Sequence, residues 1–142
     1  GFANFMASID ALIMGRNTFE VVVGFGCDWP YNKPVFVLSN TLKSVPSGFE
    51  DKVTLVQGEL SDIIAQLKQQ GLQRLYIDGG KTVQSFLQAD LIDEMIITTI
   101  PVLLGEGVSL FGLLPKAMKF QNVKCQHQLN YLATNTYVRK RD

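Results

Sequence analysis

The sequence predicts an α/β fold built on a mixed, mainly parallel sheet flanked by helices, with antiparallel strands towards its C-terminus. Two observations carry this. Between residues 11 and 90, short apolar runs alternate with helical patterns, as in a parallel sheet covered on both faces. Beyond residue 94 the helical signals fade, and three strand-like runs follow that need only short connections, which suits antiparallel pairing. A chain of 142 residues, 46% of them hydrophobic, is expected to form one domain over 1–142.

The elements follow in order. Phe2, Phe5, Met6 and Ile9 recur at helical spacing and predict a short amphipathic helix. ALIM (11–14) reads as a buried strand ended by Gly15, and RNTFEVVVGF as a short helix or turn-rich segment. The prolines and asparagine of CDWPYNKP mark a loop. VFVLS (35–39) and VTLV (53–56) are the second and third strands. Leu60, Ile63, Ile64 and Leu67 share one helical face, with Gly71 as the stop. RLYI is the fourth strand, followed by a helix over KTVQSFLQAD with Val83, Phe86 and Leu87 inward. EMIITTIPVLL, KFQNVKCQHQL and LATNTYVRKR complete the chain as strands.

Thirteen basic and thirteen acidic residues cancel, and neither sign forms a block. Nothing here favours nucleic acid or an anionic membrane as partner, and any anion must be held by local geometry. Cys27 and Cys125 lie far apart and His127 is the single histidine, so neither a disulfide framework nor a metal pattern is expected. The thiols read as reduced, in a cytoplasmic protein; no signal peptide or membrane span is visible.

Two strand ends are alike. ALIM runs into Gly15-Arg16-Asn17-Thr18, and LYID into Gly79-Gly80-Lys81-Thr82. A helix start carries partial positive charge and unpaired N–H groups, so a cation there is locally unfavourable. A bound phosphate reverses the sign: glycine admits it, N–H groups and the threonine hydroxyl donate, and the cation neutralises it. One such turn alone reads as an ordinary tight turn; the pair reads as an anion site able to take the phosphates of a dinucleotide. Neither the P-loop nor the G-x-G-x-x-G spacing fits. Glu106 in PVLLGEGVSLF is a substrate-contact candidate whose default is a solvated loop tip. Asp78 suits an Asx-turn or N-cap, and Trp29, Pro30 and Tyr31 suit loop packing before a pocket wall.

IMGRNTFE resembles the strand–turn–helix of the dihydrofolate reductase fold. VFVLSN, followed by YIDGGKTVQSFLQADLIDEMIITTIPVLLGEGVSLF, is similar to the reductase domain of bacterial riboflavin biosynthesis and its uncharacterised relatives, over nearly the whole chain. The resemblance implies an NADPH-dependent reductase acting on a small heterocycle, a pterin or a ribosylated pyrimidine. It sets Gly15, Arg16, Asn17 and Thr18 at the phosphates of the adenosine half, and Ser39 and Asn40 near the adenine ribose and its 2′-phosphate. Gly79, Gly80, Lys81, Thr82 and Val83 fall at the pyrophosphate and nicotinamide side, with a cis Gly79–Gly80 peptide. Arg16 is then expected to favour NADPH over NADH.

Relatives of this kind pair through the C-terminal strands. The apolar Ile96, Ile97, Ile100, Val102 and Leu103 accordingly predict a homodimer. The resemblance also implies a central strand and a pocket-closing loop ahead of Gly1, along with the carboxylate that dihydrofolate reductases use, so no proton donor is assigned. Two other classes stay open: a nucleotide-binding module without catalysis, and a structural dimer with vestigial anion turns.

Overall fold

The computed structural model describes residues 2–26 and 28–141; Cys27 and the side chain of Phe2 lie outside them. The chain divides into two compact units, residues 1–83 and 84–142. In the first, helix α1 (Phe2–Ser8) precedes strand β1 (Ala11–Gly15), helix α2 (Arg16–Gly24), and strands β2 (Val35–Leu38) and β3 (Val53–Val56). Helix α3 (Leu60–Gln69) and strand β4 (Leu75–Asp78) complete it, and helix α4 (Gly80–Gln88) leads into the second unit.

The four strands of the first unit are parallel, in the order β3-β2-β1-β4. Their near-continuous apolar sequences reflect this. Ala11, Leu12, Ile13 and Met14 of the inner strand β1 are wholly inaccessible, and Val35 and Val37 of β2 nearly so. Leu12, Met14, Phe19, Val35, Val37 and Val53 form a core against which Phe5, Met6 and Tyr76 pack. Phe19 meets Trp29 and Phe49 edge-on, with centroids 6.3 and 5.9 Å away, and Trp29 meets Tyr31 at 5.2 Å. The expected loop-packing role of Trp29 and Tyr31 is therefore seen.

Helix α3 stops as its sequence requires. Gly71 takes φ +83°, its N–H reaching Lys68 O and that of Leu72 reaching Leu67 O, the paired bonds of a Schellman ending. Helix α4 ends in the same way, two residues before the limit at Asp90 that the sequence pattern indicates. Asp90 adopts φ 55°, and the N–H groups of Asp90 and Leu91 bond Leu87 O and Phe86 O.

In the second unit, β5 (Glu94–Thr99), β6 (Phe120–Gln128) and β7 (Leu132–Arg139) form an antiparallel sheet of order β5-β7-β6. The expected antiparallel strands thus have a sheet to themselves. Strand β5 ends five residues before the expected limit at Leu104, because Pro101 brings no N–H and restricts Ile100. Asp90 also receives Arg139 at 2.8 Å, and Arg139 lies over the Phe120 ring. The segment from Ile100 to Leu114 holds neither helix nor strand, and Gln84 and Gln88 bond its carbonyls at Ser109, Leu110 and Leu113.

Candidate functional site

Strand order locates the site before any side chain is considered. From β1 the chain moves to β2 and β3 on one side, then crosses to place β4 on the other. The direction of winding therefore changes between β1 and β4. In open α/β sheets the crevice beyond the carboxyl ends of two such strands is where ligands bind. Met14 pairs with Asp78, so Gly15 and Gly79 come next on the two strands and the glycine turns lie side by side.

The turns interlock. A Cβ built on Gly15 would stand 2.6 Å from Thr82 Oγ1, and one built on Gly79 would collide with Thr18 Oγ1. Each turn therefore lodges its threonine against the glycine of the other. Gly15 is extended, with φ −78° and ψ 167°, so close approach alone requires glycine there. Gly79 has φ +101° as well, a conformation open chiefly to glycine. Gly80 differs from both: it is exposed, its φ is not positive, and a Cβ there would meet nothing within 4 Å.

The expected cis Gly79–Gly80 peptide is corrected. Among the described residues no peptide is cis. The positive φ of Gly79 itself redirects the chain into α4, whose first bond runs from the Val83 N–H to Gly79 O at 2.9 Å.

Helices α2 and α4 have no acidic residue in their first turns, whereas α3 carries Asp62 there. Gly15 also gives α2 no side-chain cap. Two helix starts without an acidic residue in their first turns thus come to one crevice, with Arg16 opening one and Lys81 in the other. Arg16 is half-buried: its Nε donates to Glu20 Oε1 at 2.7 Å and its Nη1 to Thr41 Oγ1 at 2.9 Å. Ser39 Oγ accepts the N–H groups of Thr41 at 3.2 Å and Leu42 at 3.0 Å. Arg16 and Ser39 are therefore brought together through Thr41, with Asn40 exposed between them in sequence.

An open cavity of ≈ 390 Å³ lined by Ser39, Asn40, Leu42, Lys43 and Gln57 adjoins the carboxyl ends of β2 and β3. A larger one, ≈ 490 Å³, is walled by Trp29, Tyr31, Lys33, Glu50 and Lys52 at the amino ends of the same strands. The smaller carries more weight, because it shares the sheet end with the glycine turns.

Asn17 and Lys81 are exposed, Val83 is half-buried and Thr82 is buried. Glu20, Thr41 and Lys43 were not legible as site residues; the only signal was Glu20 standing four residues after Arg16 on a helix. Asp78 ends β4 half-buried. Burial raises its pKa, with partial relief from the Gly79 N–H. Burial, then the charge of Asp78, then Tyr31, push Tyr76 up to about 12. Glu106 is exposed in the second unit, and among the described residues no cluster of metal-ligating side chains occurs.

The RibD C-terminal domain family matches residues 2–133. The chain is 34% identical over 142 residues to the uncharacterised protein YwjB of Bacillus subtilis, covering 98% of this chain and 79% of YwjB. A Shewanella sp. PV-4 protein described as a candidate riboflavin biosynthesis protein superposes with a TM-score of 0.97 at 57% identity, over 99% of this chain and 80% of that one. A Thermotoga maritima diaminohydroxyphosphoribosylaminopyrimidine deaminase/5-amino-6-(5-phosphoribosylamino)uracil reductase gives a TM-score of 0.71 at 15% identity, a likeness of fold. This chain is 96% covered there but spans only 47% of that protein.

Proposed function

The chain belongs to the RibD C-terminal domain family, and on that premise we propose that it is an NADPH-dependent reductase of a small heterocycle of the pterin or ribosylated pyrimidine type. The supporting observation is the pair of glycine turns at the switch point, each opening a helix whose first turn holds a cation, Arg16 or Lys81, and no acidic residue. The residues fit a dinucleotide. Gly80 leaves open space for backbone approach, Arg16 offers a fork suited to phosphate, and Lys43 lines the adjacent cavity.

Bound NADPH would supply the hydride; the protein's part is to bind, orient and exclude water. N–H groups of the first turns of α2 and α4 would hold the pyrophosphate. Arg16, Ser39, Asn40 and Thr41 would hold the ribose end, with Glu20 released from Arg16 as the phosphate takes its place.

Calorimetric titration of the full-length protein with NADPH and NADH tests this. NADPH is expected to bind tighter, and Arg16→Ala to weaken it roughly ten-fold or more, since charge-assisted hydrogen bonds contribute about 1.5–3 kcal/mol. An unequal loss for the two cofactors assigns Arg16 to the 2′-phosphate, and an equal loss to the pyrophosphate. No binding of either cofactor would sink the reductase reading. Binding without turnover of any pterin or pyrimidine would favour a non-catalytic module.

We further propose a homodimer. Of the residues expected there, Ile96, Ile100, Val102 and Leu103 are exposed in the second unit, Leu103 completely, while Ile97 is half-buried; Leu104 is exposed beside them. An apolar stretch of that kind marks an interaction surface. Light scattering that returned a single-chain mass of 15.8 kDa at micromolar concentration would count against it.

A further inference from the structure

We propose that Thr18 and Thr82 are positioning residues that lock the two glycine turns into one rigid cradle, and that Gly15 is glycine for the sake of Thr82, not of a ligand. Thr82 is 7% exposed, so the residue that carries this hydroxyl has little surface to offer an incoming phosphate. That hydroxyl instead occupies the space over Gly15, while Thr18 occupies the space over Gly79. Both threonines stand three residues after the glycine of their own turn and reach across to the glycine of the other. Because β1 and β4 are hydrogen-bonded neighbours, neither turn can move away without disturbing the strand register between them. The cradle is therefore preset before any ligand arrives, which lessens the ordering cost of binding.

The contact is confined to one atom. After Thr82 Oγ1 at 2.6 Å, the next neighbour of a Gly15 Cβ is Thr82 Cβ at 4.0 Å, an ordinary separation. Thr82→Ala should thus make room for Gly15→Ala. The mirror pair is not equivalent, because Thr18→Ala would relieve the contact at Gly79 but not its φ of +101°.

The role of the lock in binding rests on the proposed nucleotide site; its existence does not. Thermal unfolding without nucleotide is therefore measured for Gly15→Ala, Thr82→Ala and the double variant, beside calorimetric titration with NADPH. Gly15→Ala is expected to lower Tm by on the order of 5 °C and to weaken NADPH. The double variant, in which the alanine methyl takes the place of the Thr82 hydroxyl, should recover most of both, as expected of residues in contact, whereas Thr82→Ala alone, with the space over Gly15 left empty, should weaken NADPH binding. Unchanged stability of Gly15→Ala, or a double variant no better than the single, would overturn the lock. Recovered stability with NADPH affinity still lost would overturn it too, since Gly15 would then serve the ligand. If wild type binds no nucleotide, the reductase reading fails and the unfolding data alone decide the lock.

Discussion

Of the two adjacent glycines at the start of α4, only Gly79 is required by the fold, and substituting each by alanine separates them. Gly79→Ala forces a side chain onto φ +101°, a strain of about 1–3 kcal/mol. Its Cβ would also press on Thr18, adding roughly 1–3 kcal/mol of overpacking. A loss of at least about 2 kcal/mol is expected, a large share of a typical domain's ~5–15 kcal/mol. Gly80→Ala meets no neighbour within 4 Å and no positive φ, so it is expected to stabilise by about 0.4–1 kcal/mol, through fewer unfolded conformations.

Urea unfolding followed by tryptophan emission reads both variants, because the chain's one tryptophan, Trp29, packs half-buried against the core with its ring 5.7 Å from Phe49. NADPH titration adds the functional half. Gly80→Ala should weaken binding despite its small gain in stability, since its methyl enters the open space a dinucleotide would need. A destabilised Gly80→Ala protein, or a Gly79→Ala protein as stable as wild type, refutes the reasoning.

Asp78 provides a pH test. Its folded pKa is raised by burial, so its ionisation opposes folding; the penalty is absent below about pH 4 and grows as pH rises through the folded value. Asp78→Asn should therefore be more stable than wild type at pH 7, the advantage shrinking on acidification; urea midpoints at the two pH values would contradict this if the order were reversed. Leu103→Lys places a charge on a fully exposed apolar position and should shift the light-scattering mass towards one chain, whereas an unaltered dimer mass would remove Leu103 from the interface.

The first unit was legible because burial on both faces leaves its inner strands almost purely apolar, as in ALIM of β1, and even VTLV at the sheet edge matches β3 residue for residue. The end of β5 is not legible in the sequence, because the apolar run continues through Pro101 although the strand cannot. The two turns were legible as a pair, but the reason for their glycines was not. Sequence shows that Gly15 lacks a side chain; only the pairing of β1 with β4 shows that Thr82 fills the space. Thr41 is illegible in the sequence for a like reason. It reaches Arg16 across 25 residues of chain, and nothing local distinguishes it from any loop threonine.

The strand order has a consequence for how the chain must be made. Strand β1 is the most deeply buried segment of its sheet, yet Met14 meets its partner Asp78 only after a further 64 residues have been synthesised. At about 5–20 residues per second, that is a wait of roughly 3–13 s. During it, one side of β1 can already be covered by β2, but the other stays an unpaired apolar edge in the growing chain. Long-range closure of this kind slows folding and exposes intermediates to aggregation. Asp10 lies where that wait ends: its carboxylate accepts the N–H groups of Gln73 and Arg74, both at 2.9 Å, just before β4 enters the sheet. Substitutions at Asp10 should therefore be felt in the yield of folded protein during synthesis, beyond their effect on the finished molecule.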